Sequence, residues 1–315
     1  PPITLGPDVI ANVKEATEAI ARGTGVRGLI NIQFAYVSEN LFVIEANPRA
    51  SRTVPFVSKA TGVQLAKAAV MIGLGKSIAE LKAEGHLPNS MDGASLPQNT
   101  AIAVKAAVLP FSRFRTPEGV VVDSLLSPEM RSTGEVMGLD THYDTAFAKA
   151  QAGAGSPLPT EGKVFVSVAN HDKRNVIIYA KMLEQLGFEI VSTGGTADVL
   201  RRNGVNSTVA SKFAEANGQH SIVDMVRSGE IDLILNTPAG GAARSDGYEI
   251  RAAAVSVGCP VMTTISEFAA AVQAITALRE HSWGIISLQE YNEYLHTASS
   301  GEQEDNNQVR EGELS

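Results

Sequence analysis

Five residues within a span of twenty could hold a metal and a phosphate together: Gln33, then Glu45, Asn47, Arg49 and Arg52 in "VIEANPRASRT". Side chains alternate across a strand, so Glu45 and Asn47 fall on one face while Ile44 and Ala46 take the other. Gln33 lies on the preceding apolar run, and a three-residue turn around Ser38 to Asn40 sets it opposite Glu45. Carboxylate and amide oxygens suit Mg²⁺ or Mn²⁺, and Mg²⁺ keeps few protein ligands and bridges to substrate phosphates. Guanidinium forks match phosphate oxygens. The same residues also fit a plain strand end with a surface ion pair and a turn proline, and spacing alone leaves both readings open.

A second set recurs later. "EIVSTGGTADVLRRNG" (189–204) reads as strand, Gly turn and helix. Thr193 and Thr196 offer hydroxyls, Gly194 and Gly195 let backbone N–H groups approach, and the helix start favours an anion. Lys173 opens an earlier helix, Lys212 follows a third strand, and "LILNTPAGG" ends a fourth strand with Asn236 and Thr237. All lie at the carboxyl ends of strands, where open α/β sheets bind ligands. Together they predict a phosphate-bearing ligand. A third motif is discarded: "MIGLGKS" (71–77) ends like a P-loop, but Val70 stands where that loop needs Gly, and a helix precedes it instead of a strand. Gly73 and Gly75 read as helix-end glycines.

The elements that must carry these residues follow from periodicity. Asp8 to Ala21 predicts an amphipathic helix capped by Asp8 behind Pro7. Leu29 to Tyr36 and Leu41 to Ala46 predict a hairpin around "VSEN". Gln64 to Leu81 reads as one helix, "AIAVKAAVLPF" as a strand and "THYDTAFAKAQAG" as a helix. The Gly-, Pro- and Ser-rich stretch at 152–162 reads as a linker. After it, "VFVSVA", "FEIVST", "NSTVAS", "DLILNT" and "PVMTTI" alternate with helical patterns, which predicts a parallel, doubly wound α/β sheet. The expected organisation is a first domain over 1–151, a second over 163–290 and a polar acidic tail over 291–315.

Composition excludes several classes. Net charge is −8, and half of it lies past Gly301, where Glu302, Glu304, Asp305, Glu311 and Glu313 face one base, Arg310. No clustered Lys and Arg suggest a nucleic-acid surface. No apolar run is long enough for a membrane span, and the start lacks the features of a signal peptide. The single cysteine, Cys259, reads as core filler in a reducing cytoplasm. The opening Pro-Pro without Met reads as a piece of a longer chain.

The stretch "NIQFA…VIEANPRASRTVPFVSKATGVQLAKAA", with "AVLPFSRF" and "LSPEMRSTGEVMG", closely resembles the end of an ATP-grasp domain in the large subunits of carbamoyl phosphate synthases, over about residues 6–150. The resemblance implies that Gln33, Glu45 and Asn47 bind Mg²⁺ or Mn²⁺, that Arg49 contacts phosphate with Arg52 beside it, and that ATP phosphorylates carbamate. The lysines and Gly-rich lid that clamp ATP in this fold are not found ahead of Asp8, so the piece alone is expected to be inactive.

Residues 162–290 resemble the methylglyoxal-synthase-like allosteric domain of the same enzymes. That implies a nucleotide effector site at Ser167, Lys173, Thr193, Thr196, Lys212, Asn236, Thr237 and Thr263, with UMP as inhibitor and, in some members, IMP. It also implies a glutaminase small subunit as partner and a homo-oligomer of such heterodimers.

Rival readings fit less well. Methylglyoxal synthase carries an Asp straight after its paired Gly, and "TPAGG" is followed by Ala242. The IMP cyclohydrolase segment that follows "STGGTA" is missing. A freestanding nucleotide-monophosphate sensor would not need the first half. Ornithine-activated members have an acid where Ala106 stands, which argues against that response.

Overall fold

The computed structural model describes residues 2–89, 101–113, 123–126, 129–211, 221–238, 241–281 and 283–299. Lys212, from the predicted effector set, lies outside them. The chain divides into two compact units, one taking in residues up to Ala101 and from Gly284 onward, the other running from Ile102 to Trp283.

In the first unit, helix α1 (Pro7–Thr24) opens with Pro7 in its first turn, where its missing N–H costs nothing. Gly6 is the cap, and Asp8 supports the helix from inside the first turn instead of capping it. Strands β1 (Asn31–Val37) and β2 (Asn40–Asn47) form an antiparallel hairpin. Its turn has two residues, Ser38 and Glu39, both left-handed with φ of 49° and 63°. That geometry matches the twist of the flanking strands, and Asn40 Nδ2 donates to the Ser38 carbonyl at 2.8 Å. Tyr36, Val37, Phe42, Val43 and Ile44 stand exposed on the hairpin.

Helix α2 (Thr53–Thr61) follows. The helix expected over 64–81 is in fact two, α3 (Leu65–Gly73) and α4 (Ile78–Ala83). Gly75 breaks it with φ of 105°, and Ser77 with Glu80 forms a capping box that restarts it. Apolar residues continue in period across the break, which is why the sequence reads through it. "MIGLGKS" thus lies between two helices, not after a strand.

Residues placed in the acidic tail also differ. Helix α11 (Leu288–Ser299) covers the first part of that stretch. Ser287 and Glu290 cap each other at its start, with Ser287 N–H donating to Glu290 at 2.6 Å. Tyr291 is buried and its hydroxyl donates to the Ala60 carbonyl of α2 at 3.3 Å.

The second unit begins with β3 (Ile102–Ala107) and β4 (Glu135–Asp140), an antiparallel pair, and α5 (Tyr143–Gly153). Gly138 lets α5 approach: a Cβ there would collide with the Ala146 carbonyl and lie 2.5 Å from Ala150 N. The rest alternates β5 (Lys163–Ser167), α6 (Lys173–Gln185), β6 (Glu189–Ser192), α7 (Gly194–Arg202), β7 (Thr208–Val209), α8 (Ile222–Arg227), β8 (Leu233–Asn236), α9 (Gly241–Val257), β9 (Val261–Met262) and α10 (Ile265–Glu280). The five strands are all parallel in the order β7-β6-β5-β8-β9.

Two apolar layers sandwich this sheet. Val164, Val166, Leu233 and Leu235 pack one way, with Leu183 of α6, Phe268 and Ile275 of α10, and Phe147 of α5. Phe165, Val191 and Ile234 pack the other way, with Ile222 and Val226 of α8 and Ile250 and Ala254 of α9. Alternate residues of one strand therefore serve opposite layers, as a doubly wound sheet requires. Because Phe147 and Ala148 belong to the first layer and Leu158 of the Gly- and Pro-rich stretch is buried with them, the compact unit reaches back to Ile102. The composition-based division at 152–162 falls inside it.

Candidate functional site

The first candidate site is the base of the β1–β2 hairpin. Gln33 is the register partner of Glu45, and Asn31 is the partner of Asn47. A two-residue turn alone would pair Gln33 with Ile44. A bulge between Gln33 and Phe34 makes Ile44 the extra residue and restores the Gln33–Glu45 pairing. Asn47 Nδ2 donates to Glu45 Oε1 at 2.9 Å. This hydrogen bond fixes the carboxylate beside the amide and leaves Asn47 Oδ1 turned away from it.

Arg49 is held by its N–H donating to the Asn47 carbonyl at 2.8 Å and by its guanidinium donating to the Ala50 carbonyl at 3.1 Å. Arg52 directly precedes α2, whose first N–H groups have no partner within the helix. Gln33, Glu45, Arg49 and Arg52 are all exposed. The donor set is one carboxylate and amide oxygens on one strand face, which fits a hard divalent cation that takes its remaining ligands from substrate and water. Among the described residues no cluster of three or more His, Cys, Asp or Glu competes with it. Asn31, overlooked in the sequence, joins the face by strand alternation from Gln33.

The second candidate site is the carboxyl edge of the parallel sheet. Strand order reverses about β5, so the crevice between the ends of β5 and β8 is the topological switch point. Ser167 ends β5, and Asn236 and Thr237 end β8. They are locked together: Thr237 N–H donates to the Ser167 carbonyl at 3.1 Å, and Thr237 Oγ1 accepts the Ala169 N–H at 2.8 Å. Thr193 caps α7, and its hydroxyl donates to Thr196 Oγ1 at 3.3 Å. Thr196 is buried and lies within reach of the Val168 N–H at 3.5 Å.

Lys173 arrives over the same turn. A Cβ on Gly195 would lie 3.2 Å from Lys173 Nζ. An ammonium, two glycine N–H groups at a helix start and two threonine hydroxyls therefore converge on one corner, an arrangement suited to an anion. Thr263 ends β9 and lies apart from this corner, on the wall of a cavity of about 840 Å³ that Ala106, Cys259 and Glu267 also line. Glu267 accepts the Thr263 N–H at 3.2 Å, and burial pushes its carboxyl above the usual range. Burial, reinforced by Asp232, pushes the Cys259 thiol up to about 12, so it stays protonated and unreactive at neutral pH.

One buried residue at this edge escaped the sequence reading. Arg251 of α9 has no exposed surface. Its Nη1 donates to Asn236 Oδ1 at 2.7 Å, and its Nε and Nη2 donate to the two Asp123 oxygens at 2.7 Å each. The available signal was a single Arg inside the apolar helix pattern "EIRAAAVSVG".

Comparison with known proteins finds a different family in each part of the chain. Residues 1–81 match the family described as "Carbamoyl-phosphate synthase L chain, ATP binding domain", and residues 175–263 match "MGS-like domain". Proteins named carbamoyl phosphate synthase large chain are 66% identical over 304 residues in Kocuria rhizophila, 64% over 304 in Micrococcus luteus and 57% over 298 in Streptomyces coelicolor. These alignments cover 94–96% of this chain. The chain spans 27–28% of the length of those relatives, and the likeness to carbamoyl phosphate synthase large chains is sustained across both units.

Proposed function

We propose that this chain carries the carbamate-phosphorylating metal–phosphate face of a carbamoyl phosphate synthase, together with a nucleotide-responsive regulatory unit. The register pairing of Gln33 with Glu45, two residues before Asn47 and just ahead of Arg49 and Arg52, carries this reading. A carbamate oxygen attacks the γ-phosphorus of ATP, the new O–P bond forms as the bond to ADP breaks, and ADP departs. Carbamate is already an anion, so no general base is needed. Catalysis is then positioning and charge neutralisation.

Arg49 and Arg52 offset the charge of the transferring phosphoryl group. Gln33, Glu45 and Asn47 would hold Mg²⁺ or Mn²⁺, which supplies further neutralisation of the phosphates when bound. Upstream, bicarbonate and ammonia released from glutamine by a small glutaminase subunit provide the carbamate, in the cytoplasm and in a homo-oligomer of heterodimers. The product serves pyrimidine and arginine biosynthesis. The convergence of Lys173, Thr193, Gly195 and Thr196 at the turn from β6 into α7, on the carboxyl edge of the sheet, supports a nucleoside monophosphate, UMP or IMP, as effector.

Full-length protein given ATP, bicarbonate and ammonia is expected to form carbamoyl phosphate at a rate that UMP changes. Product formation indifferent to UMP and IMP would leave the catalytic reading and remove the regulatory one. No product under any condition would remove the catalytic reading.

A further inference from the structure

Asn236 presents one face to Arg251, and the chemistry of that contact determines what the other face offers. A guanidinium only donates. The atom 2.7 Å from Arg251 Nη1 must therefore be the amide oxygen of Asn236, and the Nδ2–H₂ group points elsewhere. Asn236 is 6% exposed and sits at the switch-point end of β8. Its Nδ2 has no hydrogen-bond partner among the described residues and is not sealed from solvent, so a ligand oxygen can reach it.

Two further features show that the contact is built in. Asp123 takes the other edge of the guanidinium through both oxygens, which fixes its plane as a bidentate pair does. Gly247, one helical turn before Arg251 on α9, leaves the room: a Cβ there would collide with Arg251 Nη1 and lie 2.5 Å from Asn236 Oδ1.

We propose that Arg251 is a positioning residue that makes Asn236 a hydrogen-bond donor to an acceptor oxygen of the bound nucleotide. The inference rests on the switch-point crevice being the nucleotide site. Arg251 does not touch the ligand. It acts through Asn236, and Asp123 and Gly247 hold it in place. The site therefore selects ligands that offer an oxygen acceptor at this point and disfavours those that offer an N–H.

Calorimetry of the 315-residue chain with UMP and IMP tests this, with urea melts to confirm folding. Asn236→Asp keeps an acceptor for Arg251 but replaces the donor with a charged acceptor. It is expected to weaken binding at least tenfold without lowering the unfolding midpoint. Arg251→Lys cannot hold Asn236 and Asp123 at once and is expected to weaken binding about tenfold, but to have no further effect in an Asn236→Ala background.

Gly247→Ala provides a second route should Arg251→Lys fail to fold. Ala is the better helix former, and its methyl group displaces the guanidinium without removing charge, so binding should fall while the fold persists. Additive losses in the Arg251→Lys, Asn236→Ala double variant would overturn the positioning role, as would full binding by Asn236→Asp or Gly247→Ala. No heat from wild type with either nucleotide would instead overturn the nucleotide reading on which this rests.

Discussion

Glu45→Ala in the full-length protein is expected to reduce carbamoyl phosphate synthesis about a hundredfold or more. Glu45 is the only carboxylate on the hairpin face that also carries Asn31, Gln33 and Asn47. A metal held there supplies several kcal/mol of charge stabilisation, and each tenfold in rate takes about 1.4 kcal/mol. The loss should lie in turnover, because Glu45 would hold a metal whose charge counts most where charge develops on the transferring phosphoryl group. Glu45→Gln keeps the acceptor for Asn47 Nδ2 but not the charge, and should be nearly as inactive. Glu45 is exposed, so neither variant should change the far-ultraviolet spectrum or the unfolding midpoint. On the proposed function, bicarbonate-dependent ATP hydrolysis at a second ATP site should persist. Synthesis within a few-fold of wild type would sink the ligand assignment.

The second large effect concerns Lys173. Lys173→Ala should weaken UMP binding by roughly 10- to 150-fold, since a charge-assisted contact contributes about 1.5–3 kcal/mol. The ammonium stands over Gly195 at the start of α7, beside the helix N–H groups and the Thr193–Thr196 hydroxyl pair. Because Lys173 is only half-buried, salt should weaken wild-type binding as well, and the variant should show a shallower salt dependence. Lys163 is the control. It opens β5 at the opposite edge of the same sheet and pairs with Glu189 at 3.3 Å, so Lys163→Ala should bind UMP normally. Equal losses from both lysines would point to diffuse charge attraction instead of a phosphate corner.

What could be read in the chain follows the range of the interactions concerned. Four of the five parallel strands were legible because each is a short apolar run bounded by turn residues, while β7 is an exposed Thr-Val pair read from its place in the alternation. The carboxyl ends place Ser167, Thr193, Asn236 and Thr237 at one edge whatever the loops do. The break between α3 and α4 was not, since Leu74 and Ile78 continue the apolar period through it, and only Gly75 with the Ser77–Glu80 box marks it. Helix α11 hid because acidic residues dominate the chain beyond it, while Tyr291, buried in its first turn, finds its hydroxyl partner in the Ala60 carbonyl far earlier in the sequence. Arg251 was the least legible. Its meaning depends on Asp123, 128 positions away, and on the missing side chain of Gly247, neither of which leaves a local trace.

The hairpin register was read correctly from an incorrect turn, and that coincidence has a physical basis. A three-residue turn without a bulge and a two-residue turn with one extra residue at Ile44 deliver the same partner to Gln33. The two solutions differ only in which way residues 40–43 face, and the exposure of Phe42 and Val43 leaves that choice weakly constrained. A one-residue insertion at the tip can therefore be absorbed by losing the bulge, which keeps Gln33 opposite Glu45.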